Sequence, residues 1–185
     1  MELSKGLLME SKAIYPGSFD PITNGHVDII RRGLKIFDRI LVAVLDNPKK
    51  DPLLTAKERV ALIRKIFKDQ ENVEVKSFHG LLVEFAKENR TNTVIRGLRA
   101  ISDFEYEFQM ALMNRKLSPE METLYMMPSL EFSFLSSNLV KEVFMLGGSV
   151  RDLVPGPVET KLREISGTNK RVQIYKKAGK NAGYL

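Results

Sequence analysis

Lys12-Ala-Ile-Tyr-Pro-Gly-Ser-Phe-Asp-Pro-Ile-Thr-Asn-Gly-His26 is the stretch on which the fold of this chain turns. A short apolar run, Lys12 to Tyr15, is stopped by Pro16-Gly17, which predicts a strand that ends in a turn. Ser18 then offers a hydroxyl. Thr23-Asn-Gly-His26 opens a helix predicted from about Gly25 to Phe37, with Val27, Ile30, Leu34 and Phe37 at three-to-four spacing. The loop matches neither the GxxxxGK[ST] phosphate loop nor the GxGxxG dinucleotide fingerprint. A helix N-terminus presents free N–H groups and positive potential to an anion. Gly25 lets a phosphate approach closely, and His26 on the first turn is placed to point at it. A Gly-His pair alone reads as a tight turn with a capping histidine. After a first strand and with Ser18 upstream, it reads as an anion site.

Beyond this unit the chain alternates β and α. Arg39 to Leu45 is a continuous apolar run, the mark of a buried parallel strand. Asp46-Asn-Pro-Lys-Lys-Asp-Pro52 is a loop. Thr55 and Glu58 have capping-box spacing and start a second helix. Val73 to Val75, Thr93 to Ile95 and Thr123 to Met126 read as further strands. Leu81 to Asn89, Ser102 to Lys116 and Leu139 to Leu146 read as helices, with Ser102 as an N-cap and Ser136-Ser-Asn138 opening the last of these. The pattern predicts a single α/β domain, a Rossmann-like open parallel five-stranded sheet with helices on both faces. Such sheets bind ligands at the carboxyl ends of their strands. The domain is expected over residues 12–155, after an N-terminal extension of 1–11 and before a C-terminal helix and basic tail of 156–185 whose end is loosely held.

Composition narrows the chemistry. The 185 residues include no Cys and two His, which rules out thiolate sites and disulfides and argues against a His-rich metal cage. Lys and Arg exceed Asp and Glu by enough to give a formal charge of +6. That suits either a nucleic-acid backbone or small polyanionic substrates. The basic residues are spread along the chain rather than blocked with aromatics, so charge alone leaves both open. No run is apolar enough to span a membrane. Gly6 to Met9 is too short for a signal core and is cut by Glu10, so a cytoplasmic location is the default expectation.

Three further segments fall at predicted strand ends. Val94-Ile-Arg-Gly-Leu-Arg-Ala100 presents Arg96 and Arg99 around Gly97, and arginine forks suit phosphate oxygens. Without that placement it is a solvated basic loop. Pro128-Ser-Leu-Glu-Phe-Ser-Phe-Leu-Ser-Ser-Asn138 offers serines that are either plain caps or phosphate donors. Lys49 and Lys50 are either a solvated pair or reach over the site.

The Thr23-to-His26 string resembles the TxGH element of the nucleotidyltransferase superfamily. Together with Arg96-Gly-Leu-Arg-Ala-Ile-Ser-Asp-Phe-Glu-Tyr-Glu107, Met113-Asn-Arg-Lys116 and Leu139-Val-Lys-Glu142, it is similar in order and spacing to bacterial phosphopantetheine adenylyltransferases, over roughly Lys12 to Leu153. The resemblance implies transfer of the adenylyl group of ATP to 4′-phosphopantetheine, giving dephospho-coenzyme A and pyrophosphate without a covalent intermediate. It implies His26 as transition-state stabiliser, with Ser18, Lys50 and Arg99 beside it in catalysis. Ser18, Lys50, Leu82, Arg96 and Asn114 then hold the acceptor. Ser18, Phe19, His26, Gly97, Leu98, Arg99, Glu107 and the run Phe132, Ser133, Phe134, Leu135, Ser136, Ser137, Asn138 meet ATP. Mg2+ is expected to arrive with ATP, since no carboxylate cluster cages it. A homohexamer and feedback by coenzyme A are also implied. The chain departs from the pattern at Ser18, where Thr is frequent, at Gly80 for Asp, at Phe132 for Trp or Tyr, and at Asn138 for a final Ser. The rival readings are another nucleotidyltransferase, such as one for nicotinate mononucleotide, a nucleic-acid-binding module, and a non-catalytic interaction protein.

Overall fold

Lys12–Gly17 forms β1, the middle strand of a five-stranded sheet of order β3-β2-β1-β4-β5 in which every pairing is parallel. This computed structural model describes residues 10–47, 51–99 and 101–168. The other strands are β2 (Arg39–Leu45), β3 (Val73–Phe78), β4 (Thr93–Gly97) and β5 (Glu122–Met126). Between and after them run α1 (Asn24–Gly33), α2 (Ala56–Ile66), α3 (Leu82–Glu88), α4 (Ile101–Leu117), α5 (Ser137–Met145) and α6 (Gly156–Thr168). A short 3-10 turn, Leu130–Phe132, precedes α5.

The unbroken apolar run of β2 is buried on both faces because helices cover both. On one face Tyr15, Ile40, Val42, Val44 and Ile95 pack with residues of α1, α2, α5 and α6. On the other, Ile14, Leu41, Ala43 and Val94 pack with Val83, Phe85 and Ala86 of α3. This is the expected architecture, a single α/β domain. The strand order reverses direction at β1, whose neighbours are β2 and β4, so the crevice at the carboxyl ends of β1 and β4 is where such a sheet takes its ligand.

Several boundaries differ from the sequence pattern. β3 continues to Phe78 and β4 to Gly97, because pairing with β2 and β5 carries both beyond their apolar cores. Arg96 is therefore a strand residue, opposite Tyr125. α4 begins at Ile101, so Ser102 falls inside its first turn and not at the N-cap position expected of it. α1 ends at Gly33, where a Cβ would come within 3.2 Å of both Ile40 and Ile95, and the chain turns away before Phe37. Thr55 and Glu58 do form the expected capping box. α6 buries Val158 and Leu162 in the core shared with α2, and Lys161 pairs with Glu58 at 2.8 Å. The helix beyond residue 155 is thus packed on the domain. The extension before Glu10 and the tail after Thr168 lie outside the described residues.

Candidate active site

β1 ends in Pro16-Gly17 and delivers the chain to a tight loop. Phe19 takes a φ of 47°, a left-handed conformation that is costly for a bulky residue. Its ring is buried and folds back over Gly17, where a Cβ would meet the ring at 2.9 Å. Only glycine fits there. The Phe19 ring lies edge-on to Tyr15 and to the imidazole of His26, with centroids 5.4 and 5.2 Å away. The loop thus builds an aromatic floor beneath His26.

Thr23 is the N-cap of α1 and is fully buried. Its hydroxyl accepts from the His26 backbone N–H at 3.4 Å, and its own backbone N–H donates to His26 Nδ1 at 3.0 Å. The Thr23 Oγ1 also lies 2.8 Å from Nδ1. A ring nitrogen that accepts from an amide carries no proton, so the neutral ring holds its hydrogen on Nε2. The histidine is therefore the cap that the bare Gly-His pair suggests, and that capping is what leaves Nε2–H as a donor at the helix N-terminus. Burial, reinforced by the positive charges of Arg99 and Arg96, lowers its pKa from 6.5 to about 4. Near neutral pH the ring is uncharged. Because the folded form resists protonation, this group's contribution to stability is full above pH 6.5 and is lost as pH falls toward 4. An NMR titration of the imidazole in the nucleotide-free protein is expected to give a midpoint near 4 with the Nε2–H tautomer. A midpoint at 6.5 or above would contradict this environment.

His26 opens onto a cleft of about 330 Å³ at the carboxyl ends of β1 and β4. Arg96 reaches its edge from β4. Its Nε donates to Glu107 at 2.7 Å, Nη2 makes a second short bond to the same carboxylate, and Nη1 donates to the Pro16 carbonyl at 2.8 Å. Arg99, just past the strand, pairs with Asp103 at 3.1 Å and donates to the Leu135 carbonyl at 3.1 Å. Across the cleft, Ser136 caps α5 by accepting from Leu139 N–H at 3.0 Å, and Ser137 Oγ donates to the Pro21 carbonyl at 2.8 Å. Two helix N-termini, those of α1 and α5, thus converge with two arginines on one cavity. That is a site for a polyanion. The tyrosine hydroxyl of Tyr15 is held protonated by burial.

Of the residues singled out by sequence, Ser18, His26, Arg96, Gly97, Arg99 and Glu107 line this cleft, as do Phe132, Leu135, Ser136, Ser137 and Asn138. Phe19 lies under it. Leu98 turns its N–H to the Met126 carbonyl, Ser133 Oγ donates back to the Leu130 carbonyl, and Phe134, beyond the 3-10 turn, is 61% exposed; none of the three lines the cleft. Leu82, the first residue of α3, packs against the core on that helix's face of the sheet, and Asn114 sits far along α4, so neither lines the cleft. Lys50 lies outside the described residues. At Gly25 a Cβ would make only ordinary contact with Phe132, 3.4 Å from its Cβ, so the packing of the 3-10 turn does not itself demand glycine there.

Sequence reasoning passed over Tyr106 and Asp103, which also line the cleft, and the role of Thr23 in setting the tautomer. The helical spacing of Asp103 to Arg99 was the available signal for the ion pair. Among the described residues no three His, Cys, Asp or Glu side chains gather as a metal site. The cleft's carboxylates, Asp103 and Glu107, are each engaged by an arginine.

Residues 14–143 match the cytidylyltransferase-like family model. The phosphopantetheine adenylyltransferase of Clostridium tetani is 56% identical over 146 residues, which is 79% of this chain and 91% of that protein. That of Caldanaerobacter subterraneus subsp. tengcongensis is 54% identical over 152 residues, 82% of this chain and 95% of that one. Among solved structures, a bifunctional NMN adenylyltransferase/ADP ribose pyrophosphatase from Francisella tularensis aligns with a TM-score of 0.66 at 13% identity, over 91% of this chain and 53% of that one. A protein from Vibrio parahaemolyticus assigned as a nicotinate-nucleotide adenylyltransferase aligns at 0.60 with 18% identity, covering 91% and 96%. At these identities the structures share the fold and nothing finer.

Proposed function

The chain belongs to the phosphopantetheine adenylyltransferase family, enzymes that form dephospho-coenzyme A in coenzyme A biosynthesis, and from that membership we propose how its cleft performs the transfer. The acceptor is 4′-phosphopantetheine and the donor is ATP. An oxygen of the acceptor phosphate forms a bond to the α-phosphorus of ATP as the bond from that phosphorus to the bridging oxygen breaks, and pyrophosphate leaves in line. The acceptor phosphate is already ionised near neutral pH, so the reaction needs no strong base. The enzyme's work is to hold anions together and to meet charge as it moves.

The observation that carries this reading is the neutral His26 ring, with Nδ1 engaged by Thr23 and Nε2–H free for a non-bridging oxygen of the α-phosphate. Ser18 stands between the two substrates. Arg99 and the α5 N-terminus at Ser136, Ser137 and Asn138 suit the triphosphate. Lys50 and Arg96 suit the acceptor phosphate. Magnesium enters as part of the ATP complex, since the cleft's carboxylates are taken by arginines and its own donors are hydroxyls and N–H groups. Pyrophosphate release from magnesium-ATP, measured with 4′-phosphopantetheine and with nicotinate mononucleotide as alternative acceptors, tests the reading. Release with the second and not the first would overturn it.

Arg96 meets Glu107 and Pro16 through a planar fork that a lysine cannot copy. Arg96→Lys is expected to raise KM for phosphopantetheine by about ten- to a hundredfold, the range for one charged hydrogen bond, with a smaller change for ATP. Equal changes in both KM values would place Arg96 in the wrong pocket.

The assembly is a homohexamer in this reading. Support comes from α4, which exposes Phe104, Tyr106, Phe108, Leu112 and Met113, more apolar surface than a monomer's helix ordinarily leaves in water. Light scattering at micromolar concentration is expected to show a stable oligomer, and a monomer there would refute it. Coenzyme A, which contains the acceptor's own arm, is expected to compete with phosphopantetheine.

A further inference from the structure

The loop carrying Ser18 and Phe19 is held by a buried carboxylate that lies outside the cleft. Asp20 is 3% exposed. Its Oδ1 accepts from the Leu54 N–H at 2.8 Å, and its Oδ2 accepts from the Leu53 N–H at 3.0 Å and from Lys141 Nζ at 3.1 Å. These donors come from two separate pieces of chain. Leu53 and Leu54 lie in the connection between β2 and α2, just after Lys50 in sequence, and Lys141 lies one turn inside α5. Neither Asp20 nor Lys141 lines the cleft.

The neighbours of Asp20 explain what is at stake. Ser18, two residues before it, lines the cleft, and Phe19 holds its left-handed φ directly beneath His26. Such a conformation persists only where the surroundings over-determine it. A carboxylate suits the junction because it only accepts, and three donors converge on it. An amide in its place would turn an NH2 toward one of them. A buried ion pair of this kind adds little net stability, so its value lies in geometry. Lys141 also balances the charge of the buried carboxylate.

We propose that Asp20, paired with Lys141, is a positioning residue that sets the Ser18 loop, the chain at Leu53 and Leu54 and the N-terminal turn of α5 in mutual register for transfer. The proposal rests on the nucleotidyl-transfer reading above. The pair acts through Ser18, His26 and the α5 serines and touches neither substrate.

The test is steady-state kinetics of Asp20→Asn, Lys141→Met, Lys141→Arg and the double variant Asp20→Asn/Lys141→Met. Each is assayed with magnesium-ATP and 4′-phosphopantetheine below its own unfolding temperature. Asp20→Asn is expected to lower kcat by about ten- to a hundredfold, the scale of a misplacement near 1 Å. Lys141→Met is expected to lower kcat and raise KM for ATP, Lys141→Arg to restore most of both, and the double variant to be no worse than Asp20→Asn alone. Unchanged kcat and KM in folded Asp20→Asn, with only the unfolding temperature lowered, would overturn the proposal. So would a double variant whose loss is the product of the single losses. If Asp20→Asn does not fold, the Lys141 variants decide, because that side chain is 29% exposed and its loss leaves the backbone bonds of Asp20 in place. Wild-type enzyme that released no pyrophosphate with this acceptor would remove the functional reading itself, whereas active wild type with unaffected variants would remove only the positioning role.

Discussion

His26→Ala is expected to lower kcat by about a hundred- to a thousandfold while leaving both KM values nearly unchanged, the result for loss of one donor used chiefly in the transition state. The structural reason is the division of labour on the imidazole. Nδ1 is occupied by the Thr23 N–H at 3.0 Å, which pins the ring and its tautomer, and burial keeps the ring neutral. Nε2–H is then a fixed dipole that needs no reorientation as charge gathers on the α-phosphate. The fold should survive. Thr23 Oγ1 can still accept from the backbone N–H of residue 26, so only the side-chain half of the capping box is lost, at about 1 kcal/mol. His79 bonds through its ring to the Asp46 carbonyl at the surface, away from the cleft, and His79→Ala serves as the control. Retention of more than about a tenth of the wild-type kcat in His26→Ala, well above the range for one lost donor, would show that the histidine has another role.

The largest effect on stability is expected at Arg59→Met, about 3–5 kcal/mol by urea unfolding, from the three carbonyls that lose their charged donor. Arg59 is 2% exposed on α2. Its guanidinium donates to the carbonyls of Ser18 at 2.6 Å, Leu45 at 3.0 Å and Leu54 at 3.0 Å, with Asp46 at 3.8 Å as counter-charge. It gathers the end of β2, the start of α2 and the Ser18 loop around one cation. Methionine fills similar space but leaves those carbonyls without this donor, each costing about 1–3 kcal/mol where water cannot replace it. Against a total of about 5–15 kcal/mol for a domain, this is a large fraction. A shift below about 1 kcal/mol, the scale of an ordinary surface substitution or less, would mean that water satisfies the carbonyls.

Much of the architecture was legible because the signals are local. The apolar run of β2, the Thr55–Glu58 capping box and the Ser136 cap are each written in a few adjacent residues, and each appears where its pattern puts it. The site was legible to the extent that its parts sit at strand ends. Ser18, His26, Arg96, Arg99 and the serines of α5 converge because a parallel sheet brings all its carboxyl ends to one edge.

What sequence patterns missed depends on contacts between distant segments. The extra residues of β3 and β4 come from pairing, which adds hydrogen bonds to stretches with weak propensity of their own. The bond of Ser133 back to Leu130 depends on a 3-10 turn that the serine-rich run does not announce. Arg59 looks like a surface arginine on a charged helix until the fold closes three carbonyls around it, and Asp20 looks like a turn residue until Leu53, Leu54 and Lys141 arrive. The sequence by itself determined the order of strands and helices, the anion-binding character of the loop ends and the family, because these rest on residue type and spacing along the chain. Only the tertiary structure decided which nitrogen of His26 carries the proton, that the ring is neutral, and which buried charges hold the loop, because burial and hydrogen-bond partners exist only once segments far apart in sequence are packed together.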